Sequence, residues 1–315
     1  MNHGMERRKS AMKASSAMKS RPIVPQSKRQ AITGQRLSRN PLLRALRRAG
    51  LHGLLSAYAL IVLLPLFIMV MNSFKTTREI FLAPFSPPAS WSLRAYAEVW
   101  ERASFGVYLI NSVFVAVTTV ALILIVASMA AYGLARYRFP GVDALRLYFL
   151  AGLMVPLRLG IVPLFLVIQR LGLLDSHGAL ILTYLANGMP FSIFLLSGFF
   201  RQLPKELEYA ARIDGCSEFQ IYARVMLPLV RPALATVAIY NFVPVWNDFF
   251  FPLIFIRSDR LKTIPLGMTL FFGQHQIDWS LLFAGMTLAS LPLLFLYIAL
   301  SGHFIRGLTA GAVKG

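Results

Sequence analysis

Six long apolar segments, separated by short polar stretches, dominate the hydropathy pattern of this sequence. A helix that crosses about 30 Å of hydrocarbon needs about 20 mostly apolar residues. The segments that meet this requirement are residues 53–74, 108–132, 144–166, 178–200, 233–256 and 281–301. The third is the least regular, because Pro156, Arg158, Gly160 and Pro163 interrupt it. The pattern therefore predicts an all-α, polytopic membrane protein with six transmembrane helices.

The composition excludes an ordinary soluble protein. Of the 315 residues, 57% are hydrophobic and 14% are charged, and the mean hydropathy is +0.61, which is unlike the averages of soluble domains. The single cysteine, Cys216, excludes an internal disulfide framework and a multi-cysteine metal centre. The five histidines lack the spacing of metal ligands, so we expect no metal site.

Positive charge is concentrated at the N-terminus. Residues 1–50 contain 13 of the 32 Lys and Arg residues and a single acid, Glu6. We expect residues 1–52 to form a basic, disordered tail and residues 53–315 to form the transmembrane domain. Because the tail has no aromatic residue on which a base could stack, its expected partner is membrane lipid, and no nucleic-acid partner is expected.

The remaining basic residues predict the orientation of the chain in the membrane. If the N-terminus is cytoplasmic, the inner loops and termini contain 23 Lys and Arg residues and the outer loops contain nine. Inner loops of membrane proteins are enriched in Lys and Arg. Both termini are therefore predicted to be cytoplasmic.

The loop between the fourth and fifth predicted spans, residues 203–231, has the pattern of two short helices. Pro204 suits a first helical position, and two acids follow it near the positive end of the helix dipole, so the first helix should run to Gly215. Ser217 and Gln220 have capping-box spacing, which predicts a second helix up to Pro228. The second helix has an apolar stripe at helical spacing, formed by Phe219, Tyr222, Val225 and Met226.

This loop resembles the Glu-Ala-Ala loop of ABC importer permeases, whose pattern is Glu-Ala-Ala, x3, Gly, x9, Ile-x-Leu-Pro. In this chain a Tyr-Ala-Ala triplet is followed at the same spacing by Gly and by Val-Met-Leu-Pro. In the family the motif glutamate contacts a basic residue of the ATPase. Here Tyr209 replaces it, so either the adjacent Glu208 substitutes for the motif glutamate or the contact is lost. The resemblance implies that the ATPase-coupling residues are Glu208, Tyr209, Ala210, Ala211, Asp214, Gly215, Leu227 and Pro228.

Two further segments resemble sugar permeases of the maltose-transporter (MalG-like) type. Residues 306–315 are similar to the C-terminal tail of that subfamily, which reaches into the ATPase dimer, and residues 241–249 are similar to its Trp-Asn-Asp segment. The resemblance implies a C-terminal ATPase contact formed by Thr309, Ala310, Gly311 and Lys314.

Polar residues within the predicted spans are candidates for the substrate pathway, because ionisable and amide groups in a membrane usually face a cavity. Trp246 and Asn247 are slightly favoured, since an aromatic ring and an amide suit the ring faces and hydroxyls of a sugar. Asn241 and Asp248 are also candidates, although polar residues can instead join helices. Arg158 either attracts an anionic solute or extends to the outer headgroups beyond a break in the helix.

The resemblance covers residues 53–315 and implies a type I ABC importer permease (MetI-like) fold in the cell inner membrane. The chain would form half of the pathway for a sugar or sugar derivative, with a second homologous permease, a dimer of ATPases and an extracytoplasmic solute-binding protein as partners. Because the sequence has no nucleotide-binding signature, it is not expected to be an enzyme or to hold a cofactor, and ATP and Mg²⁺ would bind the ATPase subunits.

A secondary transporter driven by an ion gradient is the alternative. Such proteins usually contain inverted repeats and a buried ionisable relay. This sequence has no convincing internal repeat, and Asp248 is its clearest acid within a predicted span. The sequence therefore favours the ATP-driven importer.

Overall fold

The computed structural model describes residues 41–102, 104–271 and 277–312, which are almost entirely helical. The helices are α1 (Pro41–Asn72), α2 (Thr77–Leu82), α3 (Arg94–Arg102), α4 (Phe105–Arg136), α5 (Val142–Gly152), α6 (Ile161–Arg170), α7 (His177–Gln202), α8 (Glu206–Ile213), α9 (Glu218–Leu229), α10 (Arg231–Asn247), α11 (Phe250–Phe255), α12 (Ile264–Gly267) and α13 (Trp279–Ala312). This architecture confirms the predicted all-α class. The chain divides into two compact units, Met1–Leu64 and Pro65–Gly315.

The described part of the first unit is helical from Pro41 onward. Proline suits a helix start because its φ is already helical and its missing N–H would have no intrahelical partner. Residues 41–52, which the sequence assigns to the tail, are therefore helical, and residues 1–40 lie outside the described part of the chain. Large apolar side chains between Leu51 and Leu64 are exposed all around the helix, as expected for a helix that contacts lipid.

Four helices are long and apolar enough to cross a membrane: Arg47–Asn72, Phe105–Arg136, His177–Gln202 and Trp279–Ala299. They correspond to the first, second, fourth and sixth predicted spans. The helices α9 and α10 pass the same test together but are bent by 77°, so the described residues contain four or five candidate spans. The count of six uninterrupted spans is therefore not reproduced.

The third predicted span is wrong as a continuous helix, because it is divided into α5 and α6 by an irregular segment from Leu153 to Gly160. Pro156 in this segment lacks a backbone donor and disfavours a helical conformation of the residue before it. The fifth predicted span is also interrupted, since α10 ends at Asn247 and α11 begins at Phe250. Both breaks lie beside the same cavity, which is described below.

The core of the second unit is the packing of α4 against α7. Lipid is as apolar as the side chains, so helices associate in a membrane through close packing of small residues and polar contacts. Small buried residues lie along both helices, including Ala127 and Ala131 on α4 and Ser192 on α7. Ile221 and Met226 of α9 pack into the same buried cluster. The segment between α7 and α10 is thus attached directly to the membrane-spanning core.

The polar loops of the second unit are sorted onto two ends of the helices. At one end Asn111 donates to the carbonyls of Arg260 and Lys262, both at 2.9 Å. At the other end Arg136 donates to the Leu203 carbonyl at 2.8 Å, and Tyr137 donates to Glu218 at 2.6 Å. Each end of α4 therefore contacts segments that the alternation of spans places on the same side as that end.

Gly188 allows α7 to approach α10 closely. A Cβ atom at this position would overlap Oδ1 of Asn241 and lie 2.6 Å from Cδ1 of Ile123. Gly188→Ala is therefore expected to destabilise the protein by about 1–3 kcal/mol through overpacking, measured as a lower Tm in detergent. The control Gly198→Ala lies on the same helix with nothing within 4 Å. It is expected to raise stability by up to about 1 kcal/mol, because alanine favours helix; equal Tm values for both variants would contradict the packing argument.

Candidate functional site

The first helix of the coupling segment, residues 203–231, ends in a Schellman motif. The N–H of Cys216 donates to the Ala211 carbonyl at 3.0 Å, and the N–H of Gly215 donates to the Arg212 carbonyl at 3.1 Å. This closure requires the left-handed conformation, and Gly215 adopts it with φ of +80°. Glycine has no Cβ penalty there. The carbonyl of Ala211 and the left-handed conformation of Gly215 therefore determine how α8 ends and how the chain turns into α9.

The second helix of the coupling segment begins with the predicted capping box. The Gln220 N–H donates to the Ser217 hydroxyl at 3.3 Å, and the Ser217 N–H donates to Oε1 of Gln220 at 2.8 Å. The middle of α9, Ile221–Met226, is a π-helix, a form that is uncommon and often occurs at functional sites. Tyr222 within it shares a hydrogen bond of 2.7 Å with Ser128 of α4. This bond joins the coupling segment to the membrane-spanning core.

Glu208 points into the protein and pairs with Arg136 at the end of α4. Arg136 Nε lies 2.8 Å from Glu208 Oε1, and the two side chains are 4% and 8% exposed. These two atoms do not form an aligned hydrogen bond, so charge and proximity hold the pair. Its short separation and burial make it a strong local constraint. Glu208 is therefore paired within the chain and is not exposed to an ATPase in place of the motif glutamate.

A second ion pair joins the two helices of the coupling segment. Arg212 Nε of α8 donates to Glu218 Oε1 of α9 at 2.8 Å, and the Tyr137 hydroxyl donates to Glu218 Oε2 at 2.6 Å. The hydrogen bond from Arg212, followed by that from Tyr137, lowers the pKa of Glu218 from 4.5 to about 2. The resulting stabilisation is complete above pH 4.5 and is lost as the pH falls toward 2, so it persists at neutral pH.

The outward surface of the coupling segment is partly apolar. Tyr209, Ile213 and Phe219 are 55%, 87% and 66% exposed, and we call these three residues the coupling patch. Tyr209 and Ile213 are four positions apart and so lie on one face of α8. The other predicted coupling residues differ in burial. Ala210, Asp214 and Gly215 are exposed, Leu227 and Pro228 are half-buried, and Ala211 is buried.

The predicted C-terminal contact lies at the end of the chain. Thr309, Ala310 and Gly311 are in α13, which the structure follows to Ala312. Lys314 lies outside the described residues.

A cavity of about 430 Å³ lies between α7, α10 and the irregular segment that separates α5 from α6. Arg158 of that segment lines it, and Nη2 of Arg158 lies 3.1 Å from Oδ1 of Asp248. The other carboxylate oxygen, Oδ2, accepts from the Tyr184 hydroxyl at 2.9 Å and from the Phe251 N–H at 3.0 Å. Asp248 thus accepts from the first turn of α11 and connects both helix breaks with α7.

The five predicted pathway residues separate into two groups. Arg158, Asp248 and Asn241 line the cavity. Trp246 is buried and donates to the Ala289 carbonyl of α13 at 3.1 Å, and Asn247 donates to the carbonyl of Val243 in its own helix at 2.9 Å. Trp246 and Asn247, which the sequence slightly favours for the substrate pathway, do not line this cavity, because the helical rotation at the end of α10 directs them elsewhere. Their part in the pathway stays a prediction. Arg158 is paired with an acid, an arrangement that neither sequence interpretation included.

Three polar cavity residues on α7 and α10 were missed by the sequence analysis: Tyr184, Asn187 and Tyr240. The ring of Tyr240 stacks on Phe191 with centroids 3.8 Å apart. Spacing offered a signal, since Tyr184, Asn187 and Phe191 lie three and four positions apart on one face of α7. Among the described residues no group of three His, Cys, Asp or Glu side chains is placed to hold a metal ion.

Comparison with known proteins gives consistent results. Residues 123–310 match the family model of the binding-protein-dependent transport system inner membrane component. A probable ABC transporter permease protein of Bacillus subtilis, YurM, is 38% identical over 82% of this chain and 86% of its own length. The diacetylchitobiose uptake system permease protein NgcG of Streptomyces coelicolor is 38% identical over 84% of this chain and 88% of its own length.

Two solved structures share the fold. One is a chain of a bacterial ABC transporter that imports the acidic polysaccharide alginate, with a TM-score of 0.73, 23% identity and coverage of 85% of this chain and 98% of that chain. The other is a chain of a bacterial alginate ABC transporter in complex with a pentasaccharide-bound periplasmic protein, with a TM-score of 0.58, 13% identity and coverage of 82% and 95%. The family match and the curated relatives together show that this chain belongs to the binding-protein-dependent transport system inner membrane component family, the permease subunits of ABC importers.

Proposed function

We propose that this permease forms half of the membrane pathway of an importer for a sugar or sugar derivative. The name of NgcG specifies diacetylchitobiose uptake, and this chain contains a polar cavity at two helix breaks, a location where transporters commonly bind their substrates. The cavity is the observation that carries the proposal. The gradient-driven alternative receives no support from the family or from its relatives.

The coupling segment supports an ATP-driven mechanism. Its exposed surface carries the coupling patch, while Glu208, Tyr222 and Glu218 attach it to the ends of the membrane-spanning core. A soluble ATPase dimer that moves α8 and α9 would therefore pull on α4 and α10 together. Thr309, Ala310, Gly311 and Lys314 would add a C-terminal contact with the ATPases. ATP and Mg²⁺ would bind those subunits.

In the proposed orientation this segment and both termini would lie in the cytoplasm. The larger number of Lys and Arg residues in the predicted inner loops supports this direction. The basic tail would then contact anionic lipid on the inner surface. The opposite end would receive solute from an extracytoplasmic binding protein.

Co-purification tests this assembly. The full chain, with an affinity tag on its N-terminal tail, is extracted from membranes in detergent, and the proteins that accompany it are identified. We expect a second permease and an ABC ATPase, with ATP hydrolysis that is stimulated by a loaded solute-binding protein. A stable preparation that contains this chain without any ATPase, under conditions that preserve other ABC importers, would contradict the proposed coupling.

A further inference from the structure

We propose that the cavity formed by α7, α10 and the Leu153–Gly160 segment is a binding site for a neutral saccharide, and that Asp248 excludes acidic sugars by cancelling the charge of Arg158. This inference rests on the proposed function and specifies the substrate class of the same pathway. It differs from the two sequence interpretations of Arg158, which were an anion site and a contact with lipid headgroups.

The charge of the cavity is balanced. Arg158 is the one basic residue and Asp248 the one acidic residue among those lining it, and they lie 3.1 Å apart. An anionic solute that approached Arg158 would have to compete with this carboxylate, which is held in place by Tyr184 and by the Phe251 N–H. A neutral solute would not meet this competition. The pair therefore favours hydroxyl groups over carboxylates.

Hydrogen-bonding capacity remains on the cavity side of the pair. The Arg158 side chain is 70% exposed and uses Nη2 to contact Asp248, and among the described residues no other hydrogen bond engages its guanidinium. Asn187 is exposed at the cavity wall, and within the described part of the chain no hydrogen bond engages its amide or the hydroxyl of Tyr240. An arginine, an amide and a phenol together supply the donors and acceptors that sugar hydroxyls use.

An aromatic surface lies beside these polar groups. Tyr240 is 50% exposed, and its stacking on Phe191, with planes 24° apart, holds the ring in one orientation. Sugar rings have apolar faces of C–H groups that pack against such a surface. The volume of about 430 Å³ is within the usual range of small-molecule sites, about 300–1,000 Å³. The combination of an aromatic face with a charge-balanced polar pair fits a neutral saccharide.

The test uses the importer reconstituted in proteoliposomes with its own partner subunits and saturating solute-binding protein. The probes are three neutral oligosaccharides (diacetylchitobiose, raffinose and maltotriose) and one uronate oligosaccharide, alginate pentasaccharide. We expect ATP-dependent uptake of a neutral probe and no uptake of the uronate. Uptake of the uronate in preference to the neutral probes would overturn the inference while leaving carbohydrate import intact. ATP hydrolysis without uptake of any probe would overturn the proposed carbohydrate function and the inference with it.

Two variants test the site itself. Tyr240→Leu should lower the initial uptake rate of the neutral probe by about tenfold. The control Tyr297→Leu changes an exposed tyrosine on α13 away from the cavity and should not lower the rate.

Asp248→Asn should allow alginate pentasaccharide to inhibit uptake of the neutral probe, because the charge of Arg158 is then unbalanced. Arg158→Gln should not allow this inhibition. Co-purification with the ATPase checks that each variant assembles. If Tyr240→Leu takes up the neutral probe at the wild-type rate and alginate pentasaccharide does not inhibit Asp248→Asn, the inference is overturned while the proposed function stands. If Asp248→Asn does not assemble, the comparison of Tyr240→Leu with Tyr297→Leu tests the site.

Discussion

Replacing Glu208 with glutamine is expected to destabilise the permease by about 3–5 kcal/mol, because the guanidinium of Arg136 then remains buried without its counter-charge. The Arg136 side chain is 4% exposed, so water has little access to replace the carboxylate. Arg136 also donates to the carbonyl of Leu203, where the coupling segment begins. The loss should therefore loosen the junction between α4 and the coupling segment. Thermal unfolding in detergent and ATP-driven uptake in proteoliposomes measure the two effects.

Two further variants isolate the role of the pair. Glu206→Gln makes the same change of charge on an exposed residue of the same helix, and it is expected to change stability by no more than about 0.5 kcal/mol. The double variant Arg136→Met with Glu208→Leu removes both charges and keeps apolar volume, so it should recover most of the lost stability. A Tm for Glu208→Gln equal to that of the wild type would show that the pair does not hold the segment.

Replacing Tyr209 with alanine is expected to weaken the association with the ATPase by at least about tenfold. Tyrosine is enriched among interface hot spots, whose truncation costs about 2 kcal/mol or more of binding free energy. Tyr209 is 55% exposed and shares a face of α8 with Ile213, which is 87% exposed, so the surface is suited to an apolar contact. The amount of ATPase retained on the tagged permease and the stimulated ATP hydrolysis measure the effect.

The control for this prediction is an exposed aromatic residue elsewhere. Phe85 is 77% exposed in a loop of the opposite polar end, and Phe85→Ala should leave the retained ATPase unchanged. Tyr209→Glu restores the residue of the family motif and distinguishes the two kinds of partner surface. If the contact is apolar, this variant should also lose ATPase; higher stimulated hydrolysis than in the wild type would instead indicate a basic partner surface and would refute the apolar contact.

Local features of the coupling segment were predictable from the sequence because they depend on neighbouring residues. The capping box at Ser217 and Gln220 forms as expected, and Gly215 adopts the conformation that ends α8. Each of these features is a hydrogen bond or a dihedral angle within a few positions of the chain. Chemistry that is local in sequence can be assigned without knowledge of the packing.

Pairs that join distant positions were not predictable in the same way. Arg136 and Glu208 are 72 positions apart, and Arg158 and Asp248 are 90 positions apart. The sequence identified Glu208, Arg158 and Asp248 as important but assigned each a role by itself. Which charges meet depends on the rotation and depth of the helices that carry them. A helix rotated by one residue moves its side chains by about 100°, so the sequence alone does not tell which side chains of α10 line the cavity.

The sequence by itself determined that this is a helical membrane protein, where four of its spans lie, and which family it belongs to. These conclusions follow from the length of apolar segments and from short motifs, both of which are set by the bilayer and by local backbone chemistry. The tertiary structure decided that two predicted spans are broken, that Glu208 faces inward and that Arg158 pairs with Asp248. These features depend on where prolines and caps interrupt helices and on which side chains then face each other, and only the packed arrangement specifies both.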